Sequence, residues 1–313
     1  MTSVGGTGPV VVTPASLGTS LVADLTSDQA AMASLQDEIS SGQAVIVPSD
    51  DPAAAAQSLQ LQATLTRANQ YSTNAQTGLG WLTQAGSTVS SVLSTLQSVR
   101  SAVLGLSGTA LSGGTAGVTA VTQQVSAALS QLLDLANTQY AGQAIFSGTG
   151  NVQQAYASDG TYVGAGAAPT VTVAPGTQVA MSVTGPEVFG SGTSGLLSST
   201  PGSLGVLAQI VSDLQTGTSA SLNAAQTTDL GSLDTAIAQV ETQAGVLGAN
   251  QQLMQSYSDQ ATSTTTTLEQ QLGSLTNVNM AQAITNLQLQ QTAYQAALYA
   301  TAQLNTTSLV SYL

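Results

Sequence analysis

The chain has 313 residues, room for about two or three domains, and contains no Cys, His or Lys. Fifteen carboxylates face two basic residues, Arg67 and Arg100, for a net charge of −13, so nothing is at hand to neutralise phosphates, and the charge disfavours binding to nucleic acid or to an anionic membrane surface. Disulfides, His/Cys zinc sites and catalysis by His or Cys are excluded by composition.

Charged residues make up 5% of the chain, against about a quarter in ordinary domains. Ser, Thr, Gln, Asn, Ala and Gly stand in their place. Such a neutral polar surface favours association, which suits a polymer. It also changes little once the carboxylates protonate below about pH 3, and an acidic external medium is the expectation. Residues 1–12 lack a basic start and a long apolar core, so no cleaved signal is expected. No window holds about eighteen consecutive apolar residues, so no membrane span is expected.

Residues 1–15 are rich in Gly, Pro, Thr and Val without a helical period and are expected to be unstructured. A helix is predicted over 16–41, with Leu17, Leu21, Leu25, Met32, Leu35 and Ile39 on one stripe that Asp28 interrupts. The spacing alternates threes and fours, the coiled-coil rhythm. Ser40-Ser41-Gly42 stops it, because Gly takes a left-handed conformation without a Cβ clash. A short extended run follows over 44–47. After Pro48, Ser49 and Asp50, the pair Asp51-Pro52 starts the next helix, Asp51 as N-cap and Pro52 at the first position. Local chemistry alone reads this joint as any helical hairpin.

The second helix is predicted from Pro52 to about Ser107. Leu61, Leu65, Leu79 and Leu82 mark its first half, and Val89, Val92, Leu96, Val99 and Val103 its second. Gly78, Gly80 and Gly86 weaken it, each by about 1 kcal/mol against Ala. Trp81, the single tryptophan, reads as a packing anchor rather than a ligand site. Residues 106–117 read as a turn. A third helix on Val118, Val121, Val125, Leu129, Leu132 and Ala136 is expected to end near 140–142, with Gly142 as its cap. Residues 145–192 read as β, with strands at 162–164, 170–174 and 178–183 and a turn at Pro175-Gly176. Residues 203–214 read as a short helix and 229–273 as a long one, seamed by Leu230, Leu233, Ile237, Val240, Leu247, Met254 and Tyr257. Asn250 and Thr264 also sit in that seam, where polar residues weaken packing but fix register. Residues 273–280 break the pattern, and Asn279 can cap the last helix, 281–313. Its stripe is Ile284, Leu287, Gln291, Tyr294 and Leu298.

Four motifs carry a resemblance. The string Ser40-Ser41-Gly42 to Pro48-Ser49-Asp50-Asp51-Pro52-Ala53 resembles the N-terminal signature of the bacterial flagellin superfamily. Leu135-Ala136-Asn137, with Gly142 and Ile145-Phe146-Ser147-Gly148, is similar to a segment of the branch that joins the flagellar hook to the filament. Asn277-Val278-Asn279-Met280 resembles the family's second helical junction, with Asn279 where Asp is usual. The Ser308-Leu309 to Tyr312-Leu313 ending resembles that of the junction branch. The sequence departs at Gln43-Ala44, where the family has basic residues.

The resemblance implies a mainly α fold: a long antiparallel helical rod or bundle with N- and C-termini together, plus a small β-rich insertion. It implies a terminal rod domain (1–47 with 274–313), a helical bundle domain (48–143 with 201–273) and an outward β-rich domain (144–200). The function implied is structural: an axial flagellar protein joining hook to filament by helical packing, exported without a cleaved signal. Its partners would be itself, other hook-associated and flagellin subunits, and an export chaperone. The other readings are flagellin itself, and a secreted adhesin or enzyme using the β module. The assembly surface is assigned to Leu17, Leu21, Leu25, Leu35, Ile39, Ile284, Leu287, Tyr294 and Leu298.

No catalytic, cofactor-binding or metal residue is assigned. Asp50 and Asp51 are adjacent on an extended segment and point apart, and capping accounts for Asp51. Asp159-Gly160 reads as a turn rather than a calcium ligand. Neither a P-loop nor a dinucleotide fingerprint occurs.

Overall fold

A computed structural model of the protein describes residues 14–45, 47–49, 51–113, 115–150, 152–192, 195–200 and 203–310. The chain divides into two compact units, one holding residues through Thr66 and from Thr266 on, the other Arg67–Thr265.

In the first unit, helix α1 (Pro14–Ser41) packs along helix α8 (Met280–Val310). Gln290 Nε2 donates to Asp28 Oδ1 at 2.8 Å, and Gln43 pairs with Asn277, so the two helices are antiparallel and the two ends of the fold lie together. The start of α2 (Pro52–Gly113) and the end of α7 (Leu230–Thr276) complete this unit.

The second unit is built on the rest of α2 and α7. They run antiparallel: Asn69 meets Thr265, Gly78 meets Met254, and Arg100 meets Asp234. Their seam is dry. Leu82, Val89, Val92, Leu96, Val99 and Val103 of α2 are fully buried, as are Leu233, Val240, Leu247 and Met254 of α7. Helix α3 (Thr115–Ala136) returns along the core through Val125 and Leu132 and packs on α5 (Val206–Thr216). Gly78 and Gly80 are packing devices rather than weak points. A Cβ on Gly78 would fall 2.5 Å from the Met254 methyl, and one on Gly80 would collide with the Tyr140 hydroxyl. Tyr140 in turn stands edge-on to Trp81, centroids 5.4 Å apart.

Between α3 and α5 lie three two-stranded antiparallel pairs: β1 (Gln139–Tyr140) with β2 (Gln143–Ala144), β3 (Thr170–Ala174) with β4 (Thr177–Ala180), and β5 (Ser199–Thr200) with β6 (Ser203–Leu204). Pro175-Gly176 turns the middle hairpin, with Gly176 at φ 73°. Asn74 Nδ2 ties that hairpin to α2 through the Thr172 carbonyl, at 2.8 Å.

Several boundaries differ from the sequence reading. Helix α2 passes Ser107 and continues to Gly113, and α7 passes Gly273 to Thr276. Propagating an existing helix over one Gly costs only about 1 kcal/mol, far less than a new nucleus. Helix α3 ends earlier, at Ala136. There the Asn137 side chain leaves helical geometry to make a paired bridge with Tyr156, its Oδ1 accepting from the Tyr156 N–H at 2.9 Å and its Nδ2 donating to the Tyr156 carbonyl at 3.0 Å. Gly142 is therefore no helix cap. Ala141 and Gly142, both at positive φ, form the tight turn between β1 and β2, the pattern of a primed hairpin turn.

Most of 145–169 is not strand. Tyr162 makes only an isolated bridge to Tyr156. The segment is held by an aromatic cluster of Phe146, Tyr156, Tyr162 and Phe189 and by side chains bonded to backbone, Ser182 to Ile145 and Tyr162 to Phe146. Helix α4 (Gly185–Phe189), capped by Thr184 with Glu187, interrupts the region read as β. Between α5 and α7, α6 (Ser219–Ala224) runs into a π-turn, Ala225–Asp229. Neither had a long enough apolar period to be seen.

The helix surfaces manage without charge. Hydroxyls of Thr73, Thr77, Ser90, Thr95, Thr235 and Thr242 each donate to the carbonyl four residues back, a local bond open to Ser and Thr in helices. No helix among the described residues is long and apolar enough to cross a membrane.

Candidate functional site

The joint between α1 and α2 is specified on both sides. Gly42 sits at φ 73° and its N–H reaches the Glu38 carbonyl at 2.8 Å, closing α1. Asp51 Oδ1 accepts from the N–H groups of Ala53 and Ala54, both at 2.9 Å, which satisfies two of the orphan donors at the head of α2. Ser40, Ser41, Pro48, Ser49, Asp51 and Pro52 are all exposed. Asp50, the side chain of Leu17, residues 1–13 and the Tyr312-Leu313 ending lie outside the described residues.

The second junction, at the other end of the sequence, lies against the first. The Ala44 N–H donates to the Thr276 carbonyl at 2.7 Å, and the Val278 N–H to the Gly42 carbonyl at 3.0 Å. Gln43 and Asn277 thereby form an antiparallel bridge. Asn279 Oδ1 accepts from the Gln282 N–H at 3.3 Å, at the head of α8. The two motifs were recognised separately in the sequence. That they form one clasp was not legible, because its bonds are main chain to main chain. Gln43 and Ala44 need no side-chain partner for it.

Along α1, Leu21, Leu25, Asp28, Met32, Leu35 and Ile39 are half-buried. Asp28 does not break the stripe; it takes the Gln290 amide, a polar pair of the kind that fixes helix register. Along α8 the buried side runs Ala283, Leu287, Gln290, Tyr294, Ala297 and Thr301, in steps of four and three. The expected stripe is therefore split. Leu287 and Tyr294 belong to the seam facing α1, while Ile284 and Leu298 remain 44% exposed and Gln291 is exposed. Leu289 and Tyr299 were not singled out in the sequence, yet they are 65% and 78% exposed.

The seam of the first unit is thus only half built. Among its described residues just Ala54 and Ala283 are buried apolar side chains. Exposed Val22, Leu59, Met280, Ile284, Leu289, Leu298 and Tyr299 leave apolar surface in water. The arrangement can bind a further apolar helix surface. No group of three metal-capable side chains occurs among the described residues. Asp159 accepts from the Thr161 N–H at 2.9 Å, which holds its carboxyl below the usual range and serves a turn.

Two family models match this chain: the bacterial flagellin N-terminal helical region over residues 16–151 and the C-terminal helical region over 230–313. Together they take in both end helices, the joint and the facing junction. The chain belongs to the bacterial flagellin family. Among solved structures, this flagellin-family chain is similar to a putative flagellar hook-associated protein from Vibrio parahaemolyticus, at 21% identity and TM-score 0.60, covering 73% of this chain and 100% of that one. It is also similar to the flagellar junction protein FlgL from Legionella pneumophila (18% identity, TM-score 0.51, 68% and 100% covered). FlgL from Xanthomonas campestris shares the fold at 16% identity and TM-score 0.51, with 69% and 99% covered. No curated protein sequence matches the chain.

Proposed function

We propose that this flagellin-family protein is a structural subunit of the flagellar axis that joins the hook to the filament. The observation that carries the reading is the unfinished seam: two end helices clasped together, half-buried on one side and with large apolar side chains still exposed, most of them on α8. Burying a Leu or Ile side chain is worth about 1.5–3 kcal/mol, so the exposed apolar residues on α8 gain most by packing on neighbouring subunits. The size of the insertion supports the junction branch over a filament subunit, as does the likeness to junction-protein folds.

In this reading the terminal domain (1–47 with 274–313) and the bundle domain (48–143 with 201–273) pack in the axial wall, while residues 144–200 face outward. Ile284 and Leu298 contact neighbours, and Leu21, Leu25, Leu35, Ile39, Leu287 and Tyr294 hold the end helices together. The role is mechanical rather than catalytic, the place extracellular, and the partners are itself, other axial subunits and a chaperone before export.

Deleting the gene tests this directly. Hooks without filaments, with flagellin shed into the medium, are expected in negative-stain images and culture supernatants. Filaments still attached would end the junction reading, and loss of the filament protein itself would favour a flagellin.

A further inference from the structure

Away from the end helices, the corner where α5, α6 and the π-turn meet α7 buries a carboxyl group that assembly does not explain. Asp229, the last residue of the π-turn, is 7% exposed, and its Oδ2 has no hydrogen-bond partner. Asp213, in the last turn of α5, lies beside it. Gln209 Nε2 donates to Asp213 Oδ2 at 3.2 Å, so Asp213 already serves as an acceptor.

Among the described residues no salt bridge reaches either carboxyl of the pair. Helix α6 and strand β6 carry no ionisable side chain, and the single one on α3, Asp134, is exposed. Asp234, one turn into α7, is already paired with Arg100 at 2.6 Å. The negative end of the α5 dipole points to the same place. A buried carboxyl beside a second carboxylate keeps a proton rather than a charge.

We propose that Asp229 and Asp213 form a proton-held latch, in which one proton shared between the two carboxyls ties the π-turn to the end of α5, and its loss as the medium turns from acid to neutral loosens that corner. In the latched form the Asp229 hydroxyl donates to Asp213, and the otherwise unpartnered oxygen becomes a donor. Release sends the proton to water and leaves two carboxylates facing each other.

Burial, then the neighbouring Asp213, pushes the Asp229 carboxyl from 3.8 up to about 6. A carboxyl raised on folding contributes stability that is complete below its unfolded value, near 4, and that is lost as pH rises through about 6. The latch therefore closes in acid. Its sign is opposite to that of Asp159 and Asp234, whose lowered values stabilise the fold as pH rises.

Hydrogen exchange of the full chain, followed on peptides covering 206–230 and corrected for intrinsic rates, tests this. Between about pH 4.5 and about pH 7.5, the wild-type opening equilibrium there is expected to rise by roughly twentyfold to thirtyfold. Asp229→Asn keeps the donor without the charge and should flatten that dependence. Asp213→Asn removes the like charge and should shrink it, which decides the matter if Asp229→Asn does not fold. Protection that is indifferent to pH in the wild type overturns the latch, as does an unaltered pH dependence in the variant that folds. Restoration of neutral-pH protection by millimolar calcium also overturns it, because the pair would then hold a cation rather than a proton.

Discussion

Replacing Gly42 with Ala isolates what the left-handed turn is worth. A Cβ at Gly42 meets no atom within 4 Å, so no steric collision contributes. What remains is the backbone conformation itself, φ 73°, which costs an L-residue roughly 1–2 kcal/mol. That turn aims the Gly42 carbonyl at Val278 and the Ala44 N–H at Thr276. The cost should therefore appear at the clasp, as an increase of about five- to thirtyfold in local opening. A global melt is the wrong assay, because it reports on the larger core of the second unit. Hydrogen exchange at the Ala44 and Val278 amides is the right one. Gly42→Asn is the control, since Asn tolerates the left-handed region better, and it should recover part of the loss. Wild-type protection in Gly42→Ala would refute the argument, as would Asn faring no better than Ala.

Other outcomes follow from the same geometry. Asp51→Ala removes the acceptor for two amides and should cost about 0.5–2 kcal/mol, read as faster exchange in the first turn of α2; Asp51→Asn should be nearly silent. Leu298→Ser should leave circular dichroism of the monomer unchanged and weaken polymerisation, whereas Leu287→Ser should lower the helicity of α1 and α8 as well. Gly160→Ala forces a side chain onto a φ of 76° and into the Leu197 carbonyl. A loss of more than about 1 kcal/mol is expected there, measured by denaturation followed at Trp81, the chain's single tryptophan.

The helices were legible because their apolar period was long. The valines from Val89 to Val103 that mark α2 in the sequence are the ones fully buried. The joint was legible because stop and start signals are local: one Gly, one Asp, one Pro. What was not legible depends on contacts distant in sequence. Gly80 looked like a helix flaw until Tyr140 was found where its Cβ would go. Leu298 looked like a member of the stripe of Leu287, but heptad positions drift around a helix, and only the position of α1 decides which residue faces inward. Asn137 carried a family motif, yet its role in holding Tyr156 needed the fold. The 145–169 stretch was read as β from its Gly, Thr and Val content, and composition without alternation does not specify a strand.

A fastening knotted from amide and carbonyl groups is indifferent to what hangs from it. The link between Gly42, Ala44, Thr276 and Val278 survives whichever residues drift into those places, provided none is proline at a donor and the turn can still bend to the left. That is how a chain without lysine can close its ends with Gln43 and Ala44 at the joint.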